Sequence, residues 1–305
     1  MASVVDNSAV SPKLASIFAC ILLSAPMKLT VAWASSAERF VGESFTQAMH
    51  RHRPERGWER ESVADTTVPL ADVDWSSVPV LSSDLMATFR VMRDSRFLVE
   101  AEAPEFPRRV PWLYPRDGCY ARAAAVVGLA DRLGLERPAQ FFAFGELTVA
   151  TPNVAEGEVR WWYHVTPVYR DRDEGRVWVF DPSIEPLRPI AVDDWLSRMV
   201  PSMEDVRVAL CAALASEPNA DCREGNADAP DRLAALLRAH FLPFEWQNLS
   251  ALGRDPYREL GDAPPWLGER GRSSSDVTSP IESTARNASC TVMSSATSFS
   301  SSTSK

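Results

Sequence analysis

Three consecutive stretches, 140–150, 159–169 and 176–181, are dense in aromatic and β-branched residues, and they follow directly on an alanine-rich stretch at 119–133. That order constrains the fold more than any other feature of the chain. The three stretches predict strands. Turn-forming chain such as Asp171-Arg172-Asp173-Glu174-Gly175 separates them, and the second and third read as a hairpin, which calls for an antiparallel sheet. The alanine-rich stretch predicts a helix stopped by Gly134. Tyr120, Ala123, Ala124, Val127 and Ala130 make its apolar stripe, while Arg122, Asp131 and Arg132 are expected to reach water. Small residues along such a stripe suit close packing on a sheet. A helix laid across an antiparallel sheet is an α+β arrangement.

Further helical patterns flank this core. Leu85, Met86, Phe89, Met92 and Phe97 recur near helical spacing after Ser83. Asp193 or Asp194 caps a short helix carrying Trp195, Leu196 and Met199, and two more helices are expected around 205–215 and 231–241. Pro104, Pro107, Pro111 and Pro115 keep the approach to residue 119 extended.

The ends differ in character from this middle. Residues 13–23 are an apolar run behind one positive charge, too short to span a bilayer, and Ala32-Trp33-Ala34 offers a small-x-small cleavage site. The reading is a signal peptide over 1–34, a secreted or periplasmic protein, and no integral membrane span once the signal is removed. Residues 35–75 are polar, with poor periodicity, and read as an arm or pro-segment. A catalytic domain is expected over 76–250. Residues 251–305 form a tail whose last part, from Gly271, holds thirteen Ser and five Thr; it cannot bury enough apolar surface to offset its ordering entropy. The net charge of −9 argues against nucleic acid as a partner. In an oxidising compartment Cys211 and Cys222 are expected to pair in a disulfide, which leaves Cys119 as the unpaired thiol of the folded part.

Cys119 lies where the turn Tyr114-Pro115-Arg116-Asp117-Gly118 hands over to the alanine-rich helix. A thiol there faces unpaired backbone N–H groups and the positive end of the helix dipole, which favour the nucleophilic thiolate. His164 lies mid-strand in Trp161-Trp162-Tyr163-His164-Val165-Thr166-Pro167, sharing one face with Trp162 and Thr166 by alternation. Asp181 ends the partner strand. A helix packed across that hairpin brings the three together: His164 takes the thiol proton and Asp181 fixes the imidazole tautomer. Each residue alone has a structural reading, as a packed cysteine, a satisfied strand histidine or a turn-forming aspartate before Pro182, and spacing by itself does not choose between the two.

The blocks Asp117-Gly118-Cys119-Tyr120-Ala121-Arg122-Ala123, Trp162-Tyr163-His164-Val165-Thr166-Pro167 and Phe180-Asp181-Pro182-Ser183 resemble, in order and approximate spacing, the signature blocks of the bacterial protein-glutamine glutaminases. The resemblance covers about 80–200, and Ala124 stands where members of the family carry a histidine. It implies a papain- or transglutaminase-like core with Cys119, His164 and Asp181 on the catalytic triad. The implied activity is hydrolysis of the glutamine carboxamide in a protein or peptide to glutamate and ammonia through a Cys119 thioester. No cofactor and no metal are implied. Trp161, Trp162 and Tyr163 would wall a groove for the glutamine side chain, with aromatic core packing as the competing role. The same triad would serve a transglutaminase or a cysteine protease, and an exported effector that deamidates one partner protein is a further reading.

Overall fold

The computed structural model describes residues 36–53 and 61–268. The predicted signal segment with Cys20, the arm residues 54–60, Cys290 and the chain from 269 onward lie outside the described residues. Short helices α1 (Phe45–His52) and α2 (Leu85–Asp94) precede a small hairpin of β1 (Leu98–Glu100) and β2 (Ala103–Arg108). Helix α3 (Cys119–Leu133) comes next, capped at both ends by glycines in the left-handed region, Gly118 at φ 80° and Gly134 at φ 65°.

The strands that follow build one five-stranded sheet. They are β3 (Ala139–Ala150), β4 (Glu158–Arg170), β5 (Val177–Val179), β6 (Ile190–Ala191) and β7 (Arg207–Cys211), in the order β6-β5-β4-β3-β7, with every pairing antiparallel. The fold is α+β with antiparallel sheets. The long β3–β4 ladder is its centre, and most of its residues are buried. Helix α4 (Val192–Ser197) follows β6, and α3 packs against β4.

Three differences from the expected elements have physical causes. First, residues 207–211 form strand β7, whereas a helix was expected over 205–215. A run so short fits both periods, and the free edge of β3 supplies backbone partners from Gln140 to Phe144 that only the fold reveals.

Second, Arg122 does not reach water: it is 2% exposed. Helix α5 (Ala229–Leu236) covers the side of α3 away from the sheet, so α3 is buried from Cys119 to Val127.

Third, the helical pattern of 231–241 runs on. A π-helical turn, Leu237–Phe241, leads from α5 into α6 (Leu242–Ala251). Pro243 lies at the start of α6; it lacks an N–H and its ring crowds the carbonyl one turn back, and the wider π turn accommodates both.

Ordered chain continues past 250. Helix α7 (Pro256–Leu260) buries Leu260, and the Trp266 indole donates to Asp94 Oδ1 at 2.9 Å. At the other end Ser36 to Arg39 lies along β4: Arg39 N–H donates to Arg160 O and Trp162 N–H to Ala37 O. Cys211 and Cys222 are joined by a disulfide. Among the described residues no helix is long and apolar enough to cross a membrane.

Candidate active site

Asp181 follows directly on the short strand β5 and the buried Phe180, and its carboxylate is held by four donors. His164 Nε2 lies 2.7 Å and Trp195 Nε1 3.0 Å from Oδ2, while the Ser183 amide (3.1 Å) and hydroxyl donate to Oδ1. Burial pushes this acid up, but His164 and the other donors outweigh it and hold the carboxyl at about 2. Asp181 is therefore an anion at any physiological pH. A carboxylate accepts and cannot donate, so His164 Nε2 carries the hydrogen.

Burial holds the His164 pKa below its ordinary value, against the pull of Asp181. The resting pair is a carboxylate and a neutral imidazole with its lone pair on Nδ1. That atom is buried and has no hydrogen-bond partner among the described residues. The ring is clamped between two indoles, Trp161 at 4.3 Å and 8° and Trp195 at 5.6 Å and 28°.

Strand alternation grouped His164 with Trp162, but the structure stacks it on Trp161. A bulge in β3 between Phe144 and Leu147, at Gly145, falls opposite Trp161–Tyr163 and shifts the β3–β4 register there. The Trp161 indole donates to both Pro115 O and Arg116 O at 3.0 Å, tying β4 to the loop that delivers Cys119. Trp162 turns instead to the N-terminal segment, donating to Ser36 O at 2.8 Å and stacking on His52. Tyr163 stacks on Phe144 and hydrogen-bonds toward Cys119. All three aromatics are buried, at 0–1% exposure.

Cys119 opens α3, where the first helical amides have no upstream carbonyl in the helix. Yet the thiol is not a resting thiolate. Burial pushes its pKa up to about 12; Arg122 pulls it down, Asp117 pushes it up, and the Val165 backbone and the Tyr163 hydroxyl pull it down. The expected effect of the helix end is outweighed because Cys119 is only 2% exposed. His164 at 1% and Asp181 at 4% are equally closed off.

Just upstream, Asp117 Oδ1 accepts from the Gly118 amide at 2.7 Å and the Ala37 amide at 3.0 Å. Its burial raises the carboxyl to about 6. The structure thus brings His164 into direct contact with Asp181, and sets Cys119 against Tyr163 and Val165 on the same strand as His164.

Sequence reasoning missed four contributors. Trp195 was read only as an apolar position of a short helix, and its indole donor was the available signal. Ser183 lay inside the Phe180-Asp181-Pro182-Ser183 block without a role. Asp117 and Arg122 stood beside Cys119 and were passed over. Among the described residues no cluster of three His, Cys, Asp or Glu side chains could hold a metal ion.

Residues 85–199 match the family model described as Glutaminase. No curated protein matches the chain. Among solved structures, pro-protein-glutaminase is 18% identical over 61% of this chain and 63% of that one, with a TM-score of 0.39. Protein-glutaminase is 18% identical over 53% of this chain and 90% of that one, at 0.40. The NMR structure of protein-glutaminase from Chryseobacterium proteolyticum is 22% identical over 43% and 73%, at 0.34. The chain spans 49% of the length of a variant pro-form and 63% of the pro-form above. The segment that matches the glutaminase family model contains Cys119, His164 and Asp181 together.

Proposed function

We propose that this protein hydrolyses the side-chain amide of glutamine in proteins or peptides, giving glutamate and ammonia, with Cys119 as nucleophile, His164 as acid–base and Asp181 as the residue that orients His164. The observation that carries the reading is the His164–Asp181 pair, with its free Nδ1, inside the region that matches the glutaminase family. A papain- or transglutaminase-like core, with the nucleophile's helix packed on an antiparallel sheet, is part of the same reading.

In this mechanism the Cys119 thiol gives its proton to His164 Nδ1 as sulfur attacks the carboxamide carbon. Backbone amides at the start of α3 stabilise the tetrahedral oxyanion. The imidazolium returns the proton to the departing nitrogen, ammonia leaves, and a thioester remains. His164 then takes a proton from water as it attacks the thioester, and glutamate and the thiol are regenerated. Asp181 stays ionised throughout and stabilises the imidazolium. Because all three side chains are buried, substrate entry requires the cover over Cys119 to open, and the water admitted lowers the cost of forming the thiolate.

Trp161, stacked on His164, and Tyr163, hydrogen-bonded to Cys119, are the aromatics nearest the reacting groups and in this reading meet the glutamine side chain once the site opens. Trp162, turned toward Ser36, is placed less well for that role. An exported protein with a signal peptide over 1–34, secreted or periplasmic, fits a chain with a Cys211–Cys222 disulfide.

The test is incubation of the protein with a glutamine-containing protein, with Cys119→Ala alongside. Ammonia release that depends on Cys119, together with the mass gain that separates glutamate from glutamine, supports the proposal. Equal ammonia from the variant sinks it, as do cross-linked or shortened chains in place of deamidated ones.

A further inference from the structure

Arg122 lies three residues after Cys119 and therefore on the same face of α3. Its side chain is buried. Nη1 donates to the carbonyls of Tyr114 (2.9 Å) and Asp117 (2.7 Å), while Nη2 is buried with no hydrogen-bond partner among the described residues. Two general costs fall on this arrangement. A cation in the first turn opposes the helix dipole. A buried guanidinium that pairs with carbonyls rather than a carboxylate lacks the counter-charge that normally offsets its desolvation.

The anions nearby are engaged elsewhere. Asp117 accepts from the Ala37 and Gly118 amides, and Glu245 accepts from Arg108 at 2.7 Å and from the Leu113 amide at 2.9 Å. Besides the backbone carbonyls of Tyr114 and Asp117, Arg122 interacts electrostatically with Tyr114 from the loop, Cys119 from α3, His164 from β4 and Glu245 from α6. If Cys119 is the nucleophile, as proposed above, the reaction itself creates the missing anion beside Arg122.

We propose that Arg122 is a positioning residue whose buried guanidinium is the standing counter-charge for the Cys119 thiolate. Proton transfer from sulfur to His164 also makes an imidazolium, which Arg122 disfavours, so the net sign has to be settled. Arg122 exerts the strongest downward pull on the thiol. On His164 its influence ranks behind both contributions of Asp181, which favour the imidazolium. Which of the two effects prevails is what the following experiment reads.

The experiment measures the rate of Cys119 alkylation by iodoacetamide against pH, with the label mapped by peptide mass spectrometry, in the full chain and in Arg122→Gln and Arg122→Lys. The midpoint is expected to rise by about one pH unit or more in Arg122→Gln, which is roughly tenfold less alkylation below the midpoint, and to rise by less in Arg122→Lys. An unchanged midpoint with a lower plateau overturns the proposal and leaves a structural role only. Should the Gln variant not fold, the unsubstituted protein decides: the Arg122 13Cζ resonance must titrate with the Cys119 13Cβ resonance, and independent titrations overturn the proposal. No glutamine substrate enters this readout. A raised midpoint without ammonia release would sink the deamidase reading alone, whereas ammonia release with an unmoved midpoint would sink only the role of Arg122.

Discussion

The Phe241 ring occupies the space that a side chain on Gly118 would need: a Cβ there would lie 2.9–3.0 Å from three atoms of the ring. Phe241 ends the π turn between α5 and α6, and its edge also meets Tyr120 at 6.1 Å. A distortion that Pro243 helps impose on one helix thus seats an aromatic ring on the residue just before Cys119. Gly118→Ala adds both a clash and a left-handed φ of 80° to a non-glycine residue. We expect a loss of about 2–4 kcal/mol in denaturant titrations and a kcat at least tenfold lower. Phe241→Ala in the same chain should recover part of the clash but not the φ strain, so a double-mutant cycle should show a coupling of roughly 0.5–3 kcal/mol. A coupling of zero would separate Phe241 from the Cys119 loop.

Asp181→Asn leaves the shape of the site intact while removing the charge that fixes the His164 tautomer. The expected drop in kcat is about 10³- to 10⁴-fold, with the folded baseline by circular dichroism unchanged. Trp195→Phe removes one of the two donors to Oδ2 and should cost about tenfold, the equivalent of one charge-assisted hydrogen bond. Wild-type kcat in Asp181→Asn would remove Asp181 from the mechanism.

Asp117 makes a stability prediction whose sign follows from its raised carboxyl. Its contribution is fully present below about 3.8 and is lost as the pH rises through about 6. An asparagine keeps the acceptor for Ala37 and Gly118 and cannot ionise. The stability of Asp117→Asn relative to the unsubstituted protein should therefore climb between pH 4 and pH 6, by up to about 3 kcal/mol, and then level off. Urea titrations across that range check it, and a pH-independent difference would show that Asp117 does not titrate in the fold.

The Cys211–Cys222 disulfide closes a short loop, with a sequence separation of 11. Loop-closure entropy gives it about 3 kcal/mol. Adding reductant, or replacing both residues by Ser, should lower Tm by several degrees while His164 and Asp181 stay paired. A non-reduced peptide map lacking the linked peptide would rule the bridge out.

Local sequence determined the helix that begins at Cys119, the strand bearing His164, the short strand that leads to Asp181, and the hairpin between the two strands. Those features depend on short-range signals: a glycine able to take positive φ, an alanine-rich run, and aromatic and β-branched runs broken by turns. The same signals were silent or misleading wherever the outcome depended on a distant partner. The run at 207–211 became a strand because the edge of β3 was open to it, and Arg122 went into the interior because α5 closed over α3. His164 stacked on Trp161, a partner that strict alternation along its own strand would not place on the same face. Only the tertiary structure decided the chemistry of the resting site. A thiol at a helix start reads as a nascent thiolate from sequence, but burial on all sides outweighs the helix end and keeps Cys119 protonated. Burial is a property of the packed chain and is written at no single position along it.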